Sequence, residues 1–205
     1  YASVSGSSAE NLFIDLFSDT FGAEKAGYLY SQYPFFDIYQ NSRFADFVLE
    51  NADIISSITL APEMDKDHEC IKKLAAESNV LISMGHTDAK FDEAMSAIAD
   101  GAAHATHLFN AMSALAHRNP GVVGAALASD NVSVEVIADT FHINPGLYTI
   151  VSKIKGDKMV LITDCTRAGG MPDGEYDLGG QPIFLKGIEC RLADGTIAGS
   201  VLKLN

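Results

Sequence analysis

Cysteine is scarce in this chain. Cys70, Cys165 and Cys190 are odd in number, far apart and free of any C-x-x-C spacing, which excludes a disulfide framework and a cysteine zinc site and leaves buried free thiols as the expectation. Basic residues are outnumbered, 14 Lys and Arg against 27 Asp and Glu, for a formal net charge of −13. Nucleic acid and anionic membrane are not attracted to such a surface, so neither is an expected partner, whereas a small anion could still be held by a local cationic pocket. Long apolar runs are missing as well. None approaches the roughly 18 residues of a membrane span, and the first residues lack the basic segment and apolar stretch of a signal peptide, so the expected location is the cytoplasm. What the chain does have is 47% hydrophobic composition over 205 residues, enough for one sizeable core and a globular domain.

That apolar content is organised as alternating strand and helix patterns. Apolar or β-branched runs at 54–60, 80–84, 103–106, 132–138 and 159–163 read as buried strands, with starts spaced by roughly 23 to 29 residues, the length of one βα unit. Between them, 67–78 places Ile71, Leu74 and Ala75 on one helical face, and 88–100 repeats Phe91, Met95 and Ile98 with Thr87 as N-cap and Gly101 as stop. A further helix is expected over 37–51, from Ile38, Phe44, Phe47 and Val48. Continuous apolar strands alternating with helices predict an α/β fold with a parallel sheet. After Asp164 the pattern changes to short strands at 175–178, 182–185 and 188–192, joined by glycine-containing turns, a small β insertion near the C-terminus.

Polar residues gather where these strands end. Glu63, His86, His107, Asp139 with His142, and Asp164 each follow a different apolar run, and chemistry converging from several strand ends is the habit of a (β/α)₈ barrel rather than of an open doubly wound sheet. Neutral imidazoles at successive strand ends, with an aspartate beyond, suggest a divalent metal site. His104, three residues before His107, falls on the opposite face of its strand and reads as structural. His68 and His117 read as surface residues.

Seven segments together resemble a known family: Thr59-Leu60-Ala61-Pro62-Glu63, Gly85-His86-Thr87-Asp88-Ala89, Ala105-Thr106-His107-Leu108-Phe109-Asn110-Ala111-Met112, Arg118-Asn119-Pro120-Gly121, Ile137-Ala138-Asp139 with His142, Leu161-Ile162-Thr163-Asp164, and Gly195-Thr196-Ile197-Ala198-Gly199-Ser200. In this order they are similar to the N-acetylglucosamine-6-phosphate deacetylases of the metal-dependent amidohydrolase superfamily. The resemblance covers about residues 54–205. It implies a distorted (β/α)₈ TIM-type barrel, present here as one incomplete domain over 1–205 without its first strand or strands, its last unit and the β-sandwich ends, with 1–36 poorly matched. It implies hydrolysis of N-acetylglucosamine 6-phosphate to glucosamine 6-phosphate and acetate. It also implies His86 and His107 as ligands of a divalent ion, zinc or iron, and Asp164 as the catalytic acid and base. Asn110, Ala111, Arg118, Asp139, His142, Ile197, Ala198 and Gly199 would line the sugar-phosphate site. Because the family's arginine at the Arg118 position can reach across a dimer interface, a homodimer is expected.

The chain also departs from the family pattern. The glutamate that supplies the third ligand is not found in the corresponding stretch around 14–21, which leaves Asp15, Asp19 or Glu63 as candidates. The usual Asp-Gly before the substrate histidine is Asp139-Thr140, a β-branched side chain where glycine freedom is expected. Two other readings stay open: a non-catalytic remnant retaining a sugar-phosphate pocket, and a different metal-dependent amidohydrolase.

Overall fold

A computed structural model describes residues 42–203 of the chain. Asp15 and Asp19 lie outside the described residues. The described part divides into two compact units, one within Tyr39–Ile162 and one within Thr163–Asn205.

The first unit is built from α1 (Ser42–Glu50), β1 (Ser57–Leu60), α2 (Glu69–Glu77), β2 (Leu81–Met84), α3 (Phe91–Asp100), β3 (His104–Ala105), α4 (Gly121–Ala128), β4 (Ser133–Ile137), α5 (Pro145–Lys155) and β5 (Met159–Ile162). All five strands are parallel and lie in strict chain order, β1-β2-β3-β4-β5. A doubly wound sheet reverses its order at a switch point, so sequential order with a helix after each of the first four strands is the arrangement from which barrels are made. One consequence matters for chemistry: every strand delivers its carboxyl end to the same side.

The core lies between sheet and helices. Val134 and Val136 of β4, Ala105 of β3, Val123 and Ala126 of α4 and Val151 of α5 pack with Leu108, Val132 and Ile143. α2 turns Ile71 and Leu74 fully inward, as its spacing predicts. Its N-terminus is held by Asp65, whose carboxylate accepts from the amides of Cys70 at 3.1 Å and Ile71 at 2.9 Å. α3 ends at Gly101, φ 132°, where an added Cβ would meet that of Ala75 at 2.4 Å.

α4 and α5 were not anticipated. α4 reads GVVGAALA and is buried from Gly121 through Ala126, so it has no polar face and no helical hydrophobic period to detect. Its C-terminal carbonyls are met by a buried ammonium: Lys155 Nζ donates to Ala126 O at 2.9 Å and Ser129 O at 2.8 Å. For α5 the signals existed. Asn144 caps the helix through Gly146 N at 2.9 Å, Pro145 opens it, and Gly156 stops it.

Several local expectations need correction. Thr87 does not cap α3; the helix begins at Phe91, where the Lys90 amide donates to Glu93 Oε2 at 2.7 Å. His68 is largely covered, not a free surface residue, because its Nδ1 pairs with Asp100 Oδ2 at 2.7 Å. The thiols differ among themselves: Cys190 is buried, Cys70 partly so, and Cys165 is exposed.

The second unit contains an antiparallel meander of β6 (Gly174–Leu178), β7 (Gln181–Lys186) and β8 (Glu189–Leu192), the small β insertion read from the turns. Ile183, Leu185, Cys190, Ala168 and Ala198 form its core.

Candidate metal centre

His86 and His107 each stand two residues beyond the last residue of a strand, after β2 and β3. Both backbones are left-handed there, φ 50° and 34°. That region costs a non-glycine residue of order 1–3 kcal/mol and persists only where its surroundings dictate it. The consequence is geometric: the two Nε2 atoms converge to 2.7 Å, with the rings edge to face at 83° and 4.5 Å between centroids.

The surroundings that impose this turn are specific. Gly85 precedes His86 where an added Cβ would come within 2.7 Å of Thr59 Cγ2 and 2.9 Å of Thr106 Cβ, so no larger residue fits. Glu63, beyond β1, directs both carboxylate oxygens at the His86 loop: Thr87 Oγ1 donates to Oε2 at 2.5 Å and the Asp88 amide to Oε1 at 2.7 Å. The same loop pairs with the segment after His107, through Thr87 N to Ala111 O at 3.0 Å and Ser113 N to Thr87 O at 3.1 Å. On the His107 side, Asn110 donates from its backbone to His107 O at 2.9 Å and from Nδ2 at 3.2 Å.

Electrostatics favour the neutral, ligand-competent state of His86. Burial, with the neighbouring His107, pushes the His86 imidazole down to about 3, so the ring is neutral over the ordinary pH range. The two Nε2 atoms lie within hydrogen-bond distance of each other, and imidazole nitrogens brought this close are of the type that ligates zinc or iron. Among the described residues no group of three or more His, Cys, Asp or Glu side chains is arranged to hold an ion. Glu63, considered above for the third position, is committed to the His86 loop.

The remaining residues named from the sequence fall into three groups. Asp139 and His142, beyond β4, form a buried couple: Asp139 Oδ2 takes a bond from His142 Nδ1 at 2.6 Å, while Oδ1 accepts the amides of Phe141 at 2.9 Å and His142 at 2.8 Å. Burial works to raise the Asp139 carboxyl, but these donors and the imidazole outweigh it and hold it below the ordinary aspartate value. Asp139 therefore orients His142. Thr140 beside it does adopt the left-handed conformation, φ 64°, that glycine would occupy without strain.

Arg118 is exposed on the loop between Ser113 and Gly121. The loop's base is pinned by Ser113 Oγ, which donates to Ala89 O at 2.7 Å and accepts from Val122 N at 2.8 Å. Within the second unit, Asp164, φ 48°, accepts from Ser200 N at 2.8 Å through its carbonyl. That bond brings the Ile197, Ala198 and Gly199 segment beside it, and an added Cβ on Gly199 would meet Thr166 Cγ2 at 2.6 Å. Asp164, too, stands two residues past a strand, β5.

Glu135 was overlooked. It accepts His107 N at 3.1 Å and His104 Nε2 at 3.0 Å, and its backbone carbonyl takes Leu108 N at 2.8 Å. The signal was a lone acid in the Val134-Glu135-Val136 alternation of a buried strand.

A parallel sheet in sequential order, with two imidazoles paired at neighbouring carboxyl ends, is part of the α/β architecture from which amidohydrolase-type barrels are built. No protein-family model matches the chain. Among curated proteins it is 46% identical over 163 residues to the N-acetylglucosamine-6-phosphate deacetylase of Bacillus subtilis, covering 79% of this chain and 41% of that protein. It is 37% identical over 159 residues to the Vibrio furnissii protein of the same name, covering 78% and 40%. Among solved structures, N-acetylglucosamine-6-phosphate deacetylase from Pasteurella multocida matches with a TM-score of 0.73 and 35% identity over 79% of this chain and 42% of that one. A Mycobacterium smegmatis mutant of the deacetylase, in complex with N-acetyl-D-glucosamine-6-phosphate, matches with a TM-score of 0.74 and 34% identity over 78% and 42%. By sequence and fold, the chain is similar to the N-acetylglucosamine-6-phosphate deacetylases over more than three quarters of its length, and it spans about two fifths of the length of the relatives it matches.

Proposed function

We propose that this chain carries a metal-binding and substrate-binding part of an enzyme that hydrolyses N-acetylglucosamine 6-phosphate to glucosamine 6-phosphate and acetate. The observation that carries the reading is the 2.7 Å convergence of His86 and His107 Nε2 at adjacent strand ends. It is supported by relatives of that name at 46% and 37% identity. Completed by the remaining units of a longer protein, the sequential sheet would close into the (β/α)₈ barrel.

His86 and His107 would hold a divalent ion, zinc or iron. Such an ion supplies Lewis-acid polarisation and lowers the cost of removing a proton from water. In the chemistry assigned to Asp164, its carboxylate takes a proton from the attacking water as the oxygen bonds to the acetamide carbon. The same carboxyl then returns that proton to the nitrogen as the carbon–nitrogen bond breaks, releasing acetate and the amine. Arg118 suits the 6-phosphate because its planar guanidinium donates in pairs, and its exposed place on a loop accords with use across a homodimer interface. His142, fixed through Nδ1 by Asp139, presents Nε2 to the sugar. The family resemblance assigns Asn110 and Ala111 of the first unit, and Ile197, Ala198 and Gly199 of the second, to substrate contacts. The net charge of −13 disfavours nucleic acid and anionic membrane as partners, and among the described residues no helix is long and apolar enough to cross a membrane.

A relative in Escherichia coli O157:H7, 36% identical over 148 residues, is named for N-acetylgalactosamine 6-phosphate, so the 4-epimer is the second substrate to weigh. Acetate release from the two phosphorylated epimers and from unphosphorylated N-acetylglucosamine tests the reading. Preference for the phosphorylated gluco sugar supports it, and equal rates with and without phosphate would remove the phosphate assignment.

A further inference from the structure

Glu135 occupies an unusual place for an acid. It sits in the middle of β4, between Val134 and Val136, which are fully buried in the core on the helix side of the sheet. Taking a carboxylate out of water costs several kcal/mol unless donors replace the lost hydration, so its partners define its purpose. They are the backbone amide of His107 and the ring of His104, the latter 93% covered. A carboxylate only accepts, which fixes His104 with a hydrogen on Nε2. The other ring nitrogen, Nδ1, shares a 2.6 Å bond with Ser133 Oγ. The register of β3 and β4 sets His104 directly opposite Ser133, and the strand period of two brings Glu135 to the same face.

This trio ends on the backbone of the candidate ligand. Glu135 holds two consecutive amides, His107 N through its side chain and Leu108 N through its carbonyl, while Asn110 holds the His107 carbonyl. Those bonds bracket a residue held in the left-handed region, at φ 34°. We propose that Glu135, itself fixed by His104 and Ser133, is a positioning residue that locks the His107 backbone and so sets its Nε2 against that of His86. The proposal rests on reading His86 and His107 as metal ligands. It gives His104 a task as well, since without that ring the carboxylate would be free to turn away from His107.

Cobalt(II) is the probe, because its visible absorption reports ligand geometry independently of turnover. Wild type, His86→Ala, Glu135→Gln, His104→Leu and His104→Gln are titrated with cobalt(II) against a competing chelator, alongside thermal unfolding. Loss of a partner behind a metal ligand typically weakens binding by about 10- to 100-fold. Glu135→Gln and His104→Leu are expected to weaken cobalt by that factor with an altered absorption band. His104→Gln, whose amide can still donate to Glu135, is expected to recover most of the affinity. Wild-type affinity and spectrum in folded Glu135→Gln would overturn the proposal. If Glu135→Gln does not fold, equal cobalt affinity in His104→Leu and His104→Gln overturns it instead. Failure of the parent reading looks different: no cobalt bound by wild type, or binding unchanged in His86→Ala.

Discussion

The turns that carry His86 and His107 and the loop that carries Arg118 belong to the same unit and are built in opposite ways. In the turns, bonds from distant segments hold the backbone: Glu63 on Thr87 and Asp88, Glu135 on His107, Ala111 on Thr87. Left-handed backbone at both histidines is held in place by those bonds. The Arg118 loop is pinned at its base by Ser113 and closed on itself by Ala116 N to Asn119 O at 3.1 Å, and residues 114–119 are exposed. A metal ligand must be within a fraction of an ångström before the ion arrives, whereas a phosphate can be met by a long cation that orders on binding. Under the proposed function, the histidine turns are the pre-formed part of the site and the Arg118 loop is the part that orders on binding.

The sharpest way to break the comparison is to remove a turn's imidazole. His86→Ala or His107→Ala is expected to abolish tight ion binding and to lower deacetylation by on the order of 10³-fold or more, measured by metal content and acetate release. Asp164→Asn is expected to lower kcat by about 10²- to 10⁴-fold while leaving the ion in place, as proton transfer is lost without a ligand. On the loop side, Arg118→Ala should raise KM for the phosphorylated sugar by about 10- to 100-fold with a much smaller change in kcat. Arg118→Lys should recover only part of that loss, because an ammonium cannot donate as a paired fork. A KM unchanged in Arg118→Ala would remove the arginine from the phosphate site.

Two smaller effects concern stability. Asp139 has a carboxyl held below its unfolded value, so it contributes stability above an unfolded pKa of about 3.9 that is lost as pH falls through the lower folded value. Asp139→Asn should therefore flatten the acid limb of unfolding below about pH 4, read by circular dichroism. Thr140→Gly should stabilise the fold by up to about 1 kcal/mol, the left-handed strain relieved less the entropy of glycine, seen as a higher melting temperature. A lower one would show that the threonine side chain contributes packing that outweighs its strain.

What the sequence made legible follows from periodicity and spacing. α2 and α3 carry clear apolar faces, the five strands end within a few residues of their expected limits, and the turns after Asp164 mark the meander. α4 was illegible because a helix of small residues buried all round has no face to contrast. The position of the two histidines after successive strands was readable. Their left-handed backbone was not, since nothing in Gly85-His86-Thr87 or Thr106-His107-Leu108 encodes bonds from Glu63 and Glu135, which lie 23 and 28 residues away in the chain. Glu63 shows the same limit from the other side: from the sequence it is one of three candidates for a third ligand, and only its two partners reveal that it holds the loop. Thr140 was readable in full, because the strain follows from one substitution in an Asp-Gly pattern.

The most direct test of the account is the metal content of the folded chain, purified without chelator, beside His86→Ala and His107→Ala. Near one zinc or iron ion per wild-type chain is expected, with loss of that ion in both variants. A folded wild type that binds none, or variants that keep the ion, would contradict it.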